Sequence, residues 1–298
     1  MDRFPSKITR RRALQALASV ALCGRAGTLH GEPAGKTREQ TPWLTLPPTP
    51  ELPQTDRSGI AEVNGTRLFY AQFGEGEPVL LLHGGMGSSN YWAYQIGSLA
   101  RTHAVTVMDT RGHGRSPVTS SAFGYELFAD DVVALMDYLR LPKASLVGWS
   151  DGAVTGLLTA MHRPDRVARL FTFGANFSDD GAKAGGGRTS VFVAYSSRCR
   201  AEYRTLSPEP DKWPELIAGL RATWHSEVHI TKRKLATLKC PTTMCVGQYD
   251  EIIKWERAQD MAGAIPGGRF VLLPGVSHFG MLQNPELFNR ALEEFLAT

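Results

Sequence analysis

The 298-residue sequence predicts an α/β fold: a mostly parallel, doubly wound sheet of eight strands with a helical cap inserted late in the chain. Short apolar runs alternate with stretches of helical periodicity, as expected where right-handed crossovers join parallel strands and cover both faces of a sheet. Several of these runs end in glycine-bearing polar loops, at the edge where open α/β sheets bind ligands. One long segment, about 176–238, breaks the alternation. It carries Phe192, Tyr195, Tyr203, Trp213 and Trp224 on helix-like stretches and has no strand of equal rank.

The first two strands, 61–63 and 66–73, meet at Asn64-Gly65, a strong two-residue hairpin signal. The run 78–82 is wholly apolar, as a central strand covered on both faces should be. It ends in His83-Gly84-Gly85-Met86-Gly87. The next strand, 104–108, ends in Asp109-Thr110-Arg111-Gly112-His113. Apolar positions 128, 132, 135 and 139 step by four, three and four and predict one helical face. Strand 144–147 precedes Gly148-Trp149-Ser150-Asp151-Gly152, and a helix over 153–162 stops before Pro164. Further strands are expected at 167–173, 242–246 and 269–273, with a helix at 255–264. The last helix is marked by Asn284 as N-cap, Pro285 at its first position and Glu286 at the positive end of its dipole.

Charge divides the chain unevenly. Residues 1–38 hold eight Lys/Arg against two Asp/Glu, while the rest hold 25 against 27, so the body offers no electrostatic case for nucleic acid. The basic surplus belongs to 1–27, where Arg10-Arg11-Arg12 precedes a weakly apolar stretch ending at Cys23. This resembles a twin-arginine export signal and predicts a periplasmic or secreted protein, against the alternative of a cytoplasmic one. No run reaches the ~18 apolar residues of a membrane span. Residues 28–57 hold six prolines and read as a linker or extended arm, with the folded domain at 58–298. Cys199, Cys240 and Cys245 follow no metal or disulfide spacing and are expected as buried thiols.

The chemistry is expected at the 148–152 turn. A serine at a sharp strand-to-helix bend projects its hydroxyl, and flanking glycines remove side chains that would collide there. A hydroxyl that attacks carbonyl carbon at neutral pH needs a base, and the base needs an acid to orient it. Asp250 follows strand 242–246 and His278 follows strand 269–273, both later in the chain and at the same expected edge. Glu251 competes with Asp250 for the acid role. Asp109 also ends a strand but sits in a turn-forming run, and His83 and His113 are expected to brace loops. The run Lys232-Arg233-Lys234 reads as a solvated face.

With the elbow, the Ser–Asp–His order and Gly174-Ala175-Asn176 in view, residues 58–298 resemble the α/β-hydrolase superfamily. The similarity points to the serine branch of biphenyl-hydrolase-like, valacyclovir hydrolase-type esterases. The resemblance implies catalytic residues Ser150, Asp250 and His278, and an oxyanion hole made by the backbone N–H groups of Gly85 and Asp151. Gly85 is expected to leave room for substrate beside its backbone. The resemblance also implies neither metal nor organic cofactor and a small-molecule ester or acyl substrate. Trp92 and Trp149 are candidates for substrate binding or for packing.

Fold relatives with an aspartate nucleophile, the haloalkane dehalogenases and epoxide hydrolases, are disfavoured by the serine. Ester hydrolysis is favoured because it needs only these parts; lactone opening, cofactor-free perhydrolysis and carbon–carbon bond hydrolysis remain as alternatives. The last would use Arg188, Arg198 or Arg200 to grip a substrate carboxylate. A non-catalytic binding protein on the same scaffold is the reading from another class. Asp151 places a carboxylate beside the reacting carbonyl. Either the substrate brings a cation to it, such as an α-amino group, or the side chain turns away to a structural hydrogen bond.

Overall fold

The computed structural model describes residues 41–55, 57–175, 181–226 and 230–298. The export signal expected at 1–27, with Cys23, lies outside the described residues, as does Asn176. Eight strands form one sheet in the order β1-β2-β4-β3-β5-β6-β7-β8. They are β1 (Ser58–Val63), β2 (Thr66–Phe73), β3 (Glu77–Leu82), β4 (His103–Met108), β5 (Ala144–Trp149), β6 (Val167–Phe173), β7 (Thr242–Gly247) and β8 (Arg269–Leu273). β1–β2 and β2–β4 pair antiparallel, and every other neighbour pair is parallel. The hairpin turns at Asn64 and Gly65, both with positive φ, as a two-residue loop matched to strand twist requires.

The central strands are buried on both faces because their alternate residues feed two different cores. Val79, Leu81, Val105, Val107, Val147, Phe171 and Phe173 point to one face. There they meet α1 (Ala93–Leu99) and, near the C-terminus, α8 (Gly280–Gln283) and α9 (Pro285–Leu296). Leu80, Leu82, Met108, Leu146, Leu170 and Met244 point to the other. Here they pack on α2 (Tyr125–Tyr138), α3 (Asp151–His162) and α7 (Trp255–Ala262). On α2 the stripe Phe128, Val132 and Leu135 is buried, as its spacing predicts. In α9 the Asn284 side chain accepts from the Leu287 N–H at 3.0 Å, with Pro285 at its first position. Short α1 and α8 left no periodic signal long enough to read.

Between β6 and β7 the chain forms α4 (Ser190–Leu206), α5 (Trp213–His225) and the short α6 (Lys232–Leu235). Inner residues of α4 and α5 (Val191, Tyr195, Cys199, Tyr203, Leu216 and Leu220) join the core cluster of the first face. The three cysteines among the described residues are buried and free.

Sequence places the start of the folded domain near Ser58, but the chain is already packed at Thr41–Thr55. Trp43 stacks on Tyr249 with ring centroids 4.0 Å apart. Gln283 donates to the Thr45 carbonyl at 2.8 Å, and Arg198 donates to the Leu46 and Pro47 carbonyls. Pro42 opens a single 3₁₀ turn, Pro42–Leu44, and the carbonyls of Thr45, Leu46 and Pro47 beyond it accept from donors on the body.

Candidate active site

Ser150 joins β5 to α3 with φ 54° and ψ −119°, a conformation open to few non-glycine residues and costing about 1–3 kcal/mol. The bend is possible because Gly148 and Gly152 lack side chains. A β-carbon on Gly148 would meet the backbone of Gly152 and Ala153, and one on Gly152 would meet the Leu82 and His83 backbone. The Ser150 N–H donates to the Phe173 carbonyl at 2.8 Å, fixing the elbow to the end of β6. Its side chain is partly exposed and, among the described residues, its hydroxyl has no hydrogen-bond partner.

Asp250 and His278, separated by β8, come together at the same edge. His278 Nδ1–H donates to Asp250 Oδ2 at 2.8 Å, and both side chains are buried. The other Asp250 oxygen accepts from the Ile252 and Ile253 N–H groups at 2.8 and 2.7 Å. This carboxylate is therefore held by three donors, its orientation set by the turn that begins α7. With Nδ1 engaged as donor, the ring presents the lone pair of Nε2. A β-carbon on Gly174, one residue past Phe173, would stand 2.8 Å from the His278 ring, so histidine and elbow are close neighbours. Burial by itself would depress the imidazole, but the carboxylates of Asp250, Glu251 and Asp151 outweigh it and hold His278 above its ordinary value.

Glu251 does not face the imidazole as Asp250 does. Its Oε2 accepts from the His278 main-chain N–H at 3.1 Å, and burial pushes its carboxyl above the usual range. Asp109 is a loop brace: its buried carboxylate accepts from the N–H and hydroxyl of Ser89 and from the N–H and guanidinium of Arg115. His83 donates to the Gly84 carbonyl and accepts from the Thr110 N–H, spanning two loops. His113 lies against it, and burial pushes its pKa down to about 3. Lys232, Arg233 and Lys234 are exposed, with Lys232 paired to Asp260.

Among the described residues, neither the Gly85 nor the Asp151 N–H donates a hydrogen bond, so each retains an unused donor. The space beside the Gly85 α-carbon is not empty, however. A β-carbon there would collide with Asp151 Oδ2 and lie 3.0 Å from Trp224 of α5. Asp151 directs Oδ1 to the Tyr125 hydroxyl and Oδ2 to the Trp224 indole N–H, each at 2.8 Å. Burial raises its pKa despite these two bonds. Trp224 was legible as an aromatic of the insertion, but nothing in sequence paired it with Asp151.

Trp92 and Trp149 are packed side chains. Trp92 is fully buried against Phe288. Trp149 lies under the histidine among Tyr91, Tyr195 and Phe279 and donates its indole N–H to the His278 carbonyl at 2.9 Å. Arg198 is committed to the arm, while Arg188 and Arg200 are exposed. Among the described residues no cluster of His, Cys, Asp or Glu is arranged to hold a metal ion. None of their helices is long and apolar enough to cross a membrane.

Comparison with known proteins agrees with this fold. A family model described as the alpha/beta hydrolase fold matches residues 77–184. The serine hydrolase BPHL of Mus musculus is 31% identical over 253 residues, covering 80% of this chain and 86% of that protein. A thermophilic esterase from Thermogutta terrifontis superposes with a TM-score of 0.65 at 26% identity, covering 81% of this chain and 98% of that one. The meta-cleavage product hydrolase CumD from Pseudomonas fluorescens IP01 superposes with a TM-score of 0.69, covering 80% of this chain and 97% of that one. At 20% identity this likeness is one of fold alone.

Proposed function

The chain belongs to the α/β hydrolase family, and we propose that it cleaves carboxylic esters through Ser150, His278 and Asp250. The observation that carries this reading is the buried 2.8 Å histidine–carboxylate bond at the sheet edge that also bears a strained elbow serine. His278 Nε2 takes the Ser150 proton as Oγ attacks the ester carbonyl, whose oxygen becomes anionic between the N–H groups of Gly85 and Asp151. The carbon–oxygen bond to the leaving group then breaks, and His278 delivers its proton to the departing alkoxide. A water repeats the sequence on the acyl-Ser150, giving its proton to His278 and releasing the carboxylic acid as Ser150 recovers its own. The Asp250 carboxylate orients the ring through Nδ1 and balances the charge of the imidazolium.

A fluorophosphonate probe tests this directly. Labelling of Ser150, abolished in Ser150→Ala together with a fall in turnover of several orders of magnitude, is the expected result. Labelling that persists in the variant removes Ser150 from the mechanism, and a wild type that takes no label points to a binding protein. p-Nitrophenyl esters of rising chain length, with lactones and aminoacyl esters beside them, define the substrate.

Carbon–carbon bond hydrolysis, the alternative reading, usually uses a basic residue to grip a substrate carboxylate. The commitment of Arg198 to the arm and the exposure of Arg188 and Arg200 favour the ester. We also propose export through the twin-arginine-like leader at 1–27, on the strength of Arg10-Arg11-Arg12 and the weak apolar stretch after them.

A further inference from the structure

Two side chains of the inserted helices reach down to the two residues whose N–H groups form the oxyanion hole in the reading above. Tyr195 of α4 donates its hydroxyl to the Gly85 carbonyl at 2.6 Å. Its ring is buried and held by Tyr91, Trp149, Phe192 and Phe279, so the hydroxyl has little freedom to wander. Trp224 of α5 donates to Asp151 Oδ2 at 2.8 Å and lies over the α-carbon of Gly85.

Each peptide concerned is also held from the core. The plane that carries the Gly85 N–H has its carbonyl, that of Gly84, bonded by His83 Nδ1–H at 2.8 Å and the Gly87 N–H at 3.1 Å. Tyr195 fixes the following plane, so Gly85 is gripped on both sides. The plane that carries the Asp151 N–H has the Ser150 carbonyl, which accepts from Ala153 and Val154 at 2.8 and 3.1 Å. Tyr125 and Trp224 then hold the Asp151 side chain from opposite elements, α2 and α5. A donor aimed in advance at developing charge stabilises it without reorganisation, and small displacements of such a donor are costly.

We propose that Tyr195 and Trp224 are positioning residues for the oxyanion hole, through which the inserted helices set the rate of the chemical steps and not only the fit of the substrate. The proposal rests on the ester-hydrolase reading. Acylation and deacylation both pass through an oxyanion, so a loosened hole slows both by a similar factor. KM, which depends on their ratio, then changes little.

The test uses Tyr195→Phe and Trp224→Phe, which remove one hydroxyl and one indole N–H. Competent sites are counted by fluorophosphonate titration, so partial misfolding does not enter the rate constants. Each variant is expected to lower kcat for p-nitrophenyl acetate by roughly tenfold with KM within about twofold. Inhibition by phenylboronic acid, whose tetrahedral adduct on Ser150 places an oxygen in the hole, should weaken by a similar factor. Boronate inhibition within twofold of wild type in both variants overturns the clamp and leaves the hydrolase standing. A wild type that neither labels nor turns over ester overturns both.

Discussion

Trp149 and His278 are joined by a hydrogen bond from the indole N–H to the main-chain carbonyl, 2.9 Å long. The residue before the elbow serine thus carries the backbone of the histidine. With Glu251 on the His278 N–H and Asp250 on Nδ1, the histidine is fixed at three points. Trp149→Phe keeps an aromatic ring among Tyr91, Tyr195 and Phe279 but frees the carbonyl. We expect kcat to fall roughly tenfold with KM little changed, since the base loses its alignment and not its substrate contacts. An equal kcat would show that Asp250 and Glu251 suffice.

In the proposed mechanism His278 must be neutral to accept the serine proton, and surrounding carboxylates hold its pKa above the ordinary histidine value of ~6.5. The limb of kcat/KM against pH should therefore rise through an apparent pKa above that value, with activity lost as pH falls below it. Glu251→Gln removes one raising charge while its amide oxygen still accepts from the His278 N–H. Its limb should move to lower pH. A limb that stays in place or moves up counts against an ionised Glu251 beside the histidine.

Asp151 is the point at which two readings part. Both of its oxygens are taken by neutral donors, Tyr125 and Trp224, which suits a strut between α2 and α5. Asp151→Asn turns an amide N–H₂ toward one of those donors. It should slow a valyl ester and its desamino analogue by a similar factor, leaving their preference ratio unchanged. If wild type prefers the amine and the variant loses that preference, the carboxylate is a cation site.

Stability has its own sensitive pair. Arg111 makes a bidentate contact to Asp131 at 2.6 Å with both side chains buried, and Asn64 and Thr119 complete the cluster. It ties the β1–β2 turn, the loop after β4 and α2 together. Asp131→Ala leaves an uncompensated buried guanidinium and should destabilise the fold by about 3–5 kcal/mol. Denaturant unfolding measures this; a loss below ~1 kcal/mol would mean that water reaches Arg111.

Export makes the fifth prediction. Changing Arg10 and Arg11 to Lys should leave unprocessed protein in the cytoplasm if the pair drives translocation. Equal export of the variant would end that proposal.

Much of this was legible before any coordinates. Strand runs such as 78–82 and 144–147, the turn at Asn64-Gly65, the N-cap at Asn284 and the elbow at 148–152 are local patterns, written in a few consecutive residues. The order of Ser150, Asp250 and His278 was legible for the same reason, since each follows a strand whose partners the α/β pattern constrains. The structure brings Asp250 and His278 to hydrogen-bond distance and leaves Glu251 on the histidine backbone.

Chain order and periodicity determined the sheet, its two covered faces and the edge at which the chemistry-bearing residues gather. Only the tertiary structure decided what stands around them. Tyr195 meets Gly85 across 110 positions, Trp224 meets Asp151 across 73, and the arm at 41–55 lies against Tyr249, Arg198 and Gln283. Such contacts leave no local signature. A tyrosine that only packs and a tyrosine that also bonds a distant loop carbonyl have the same helical spacing, and side-chain direction is set by packing from elements far away in sequence.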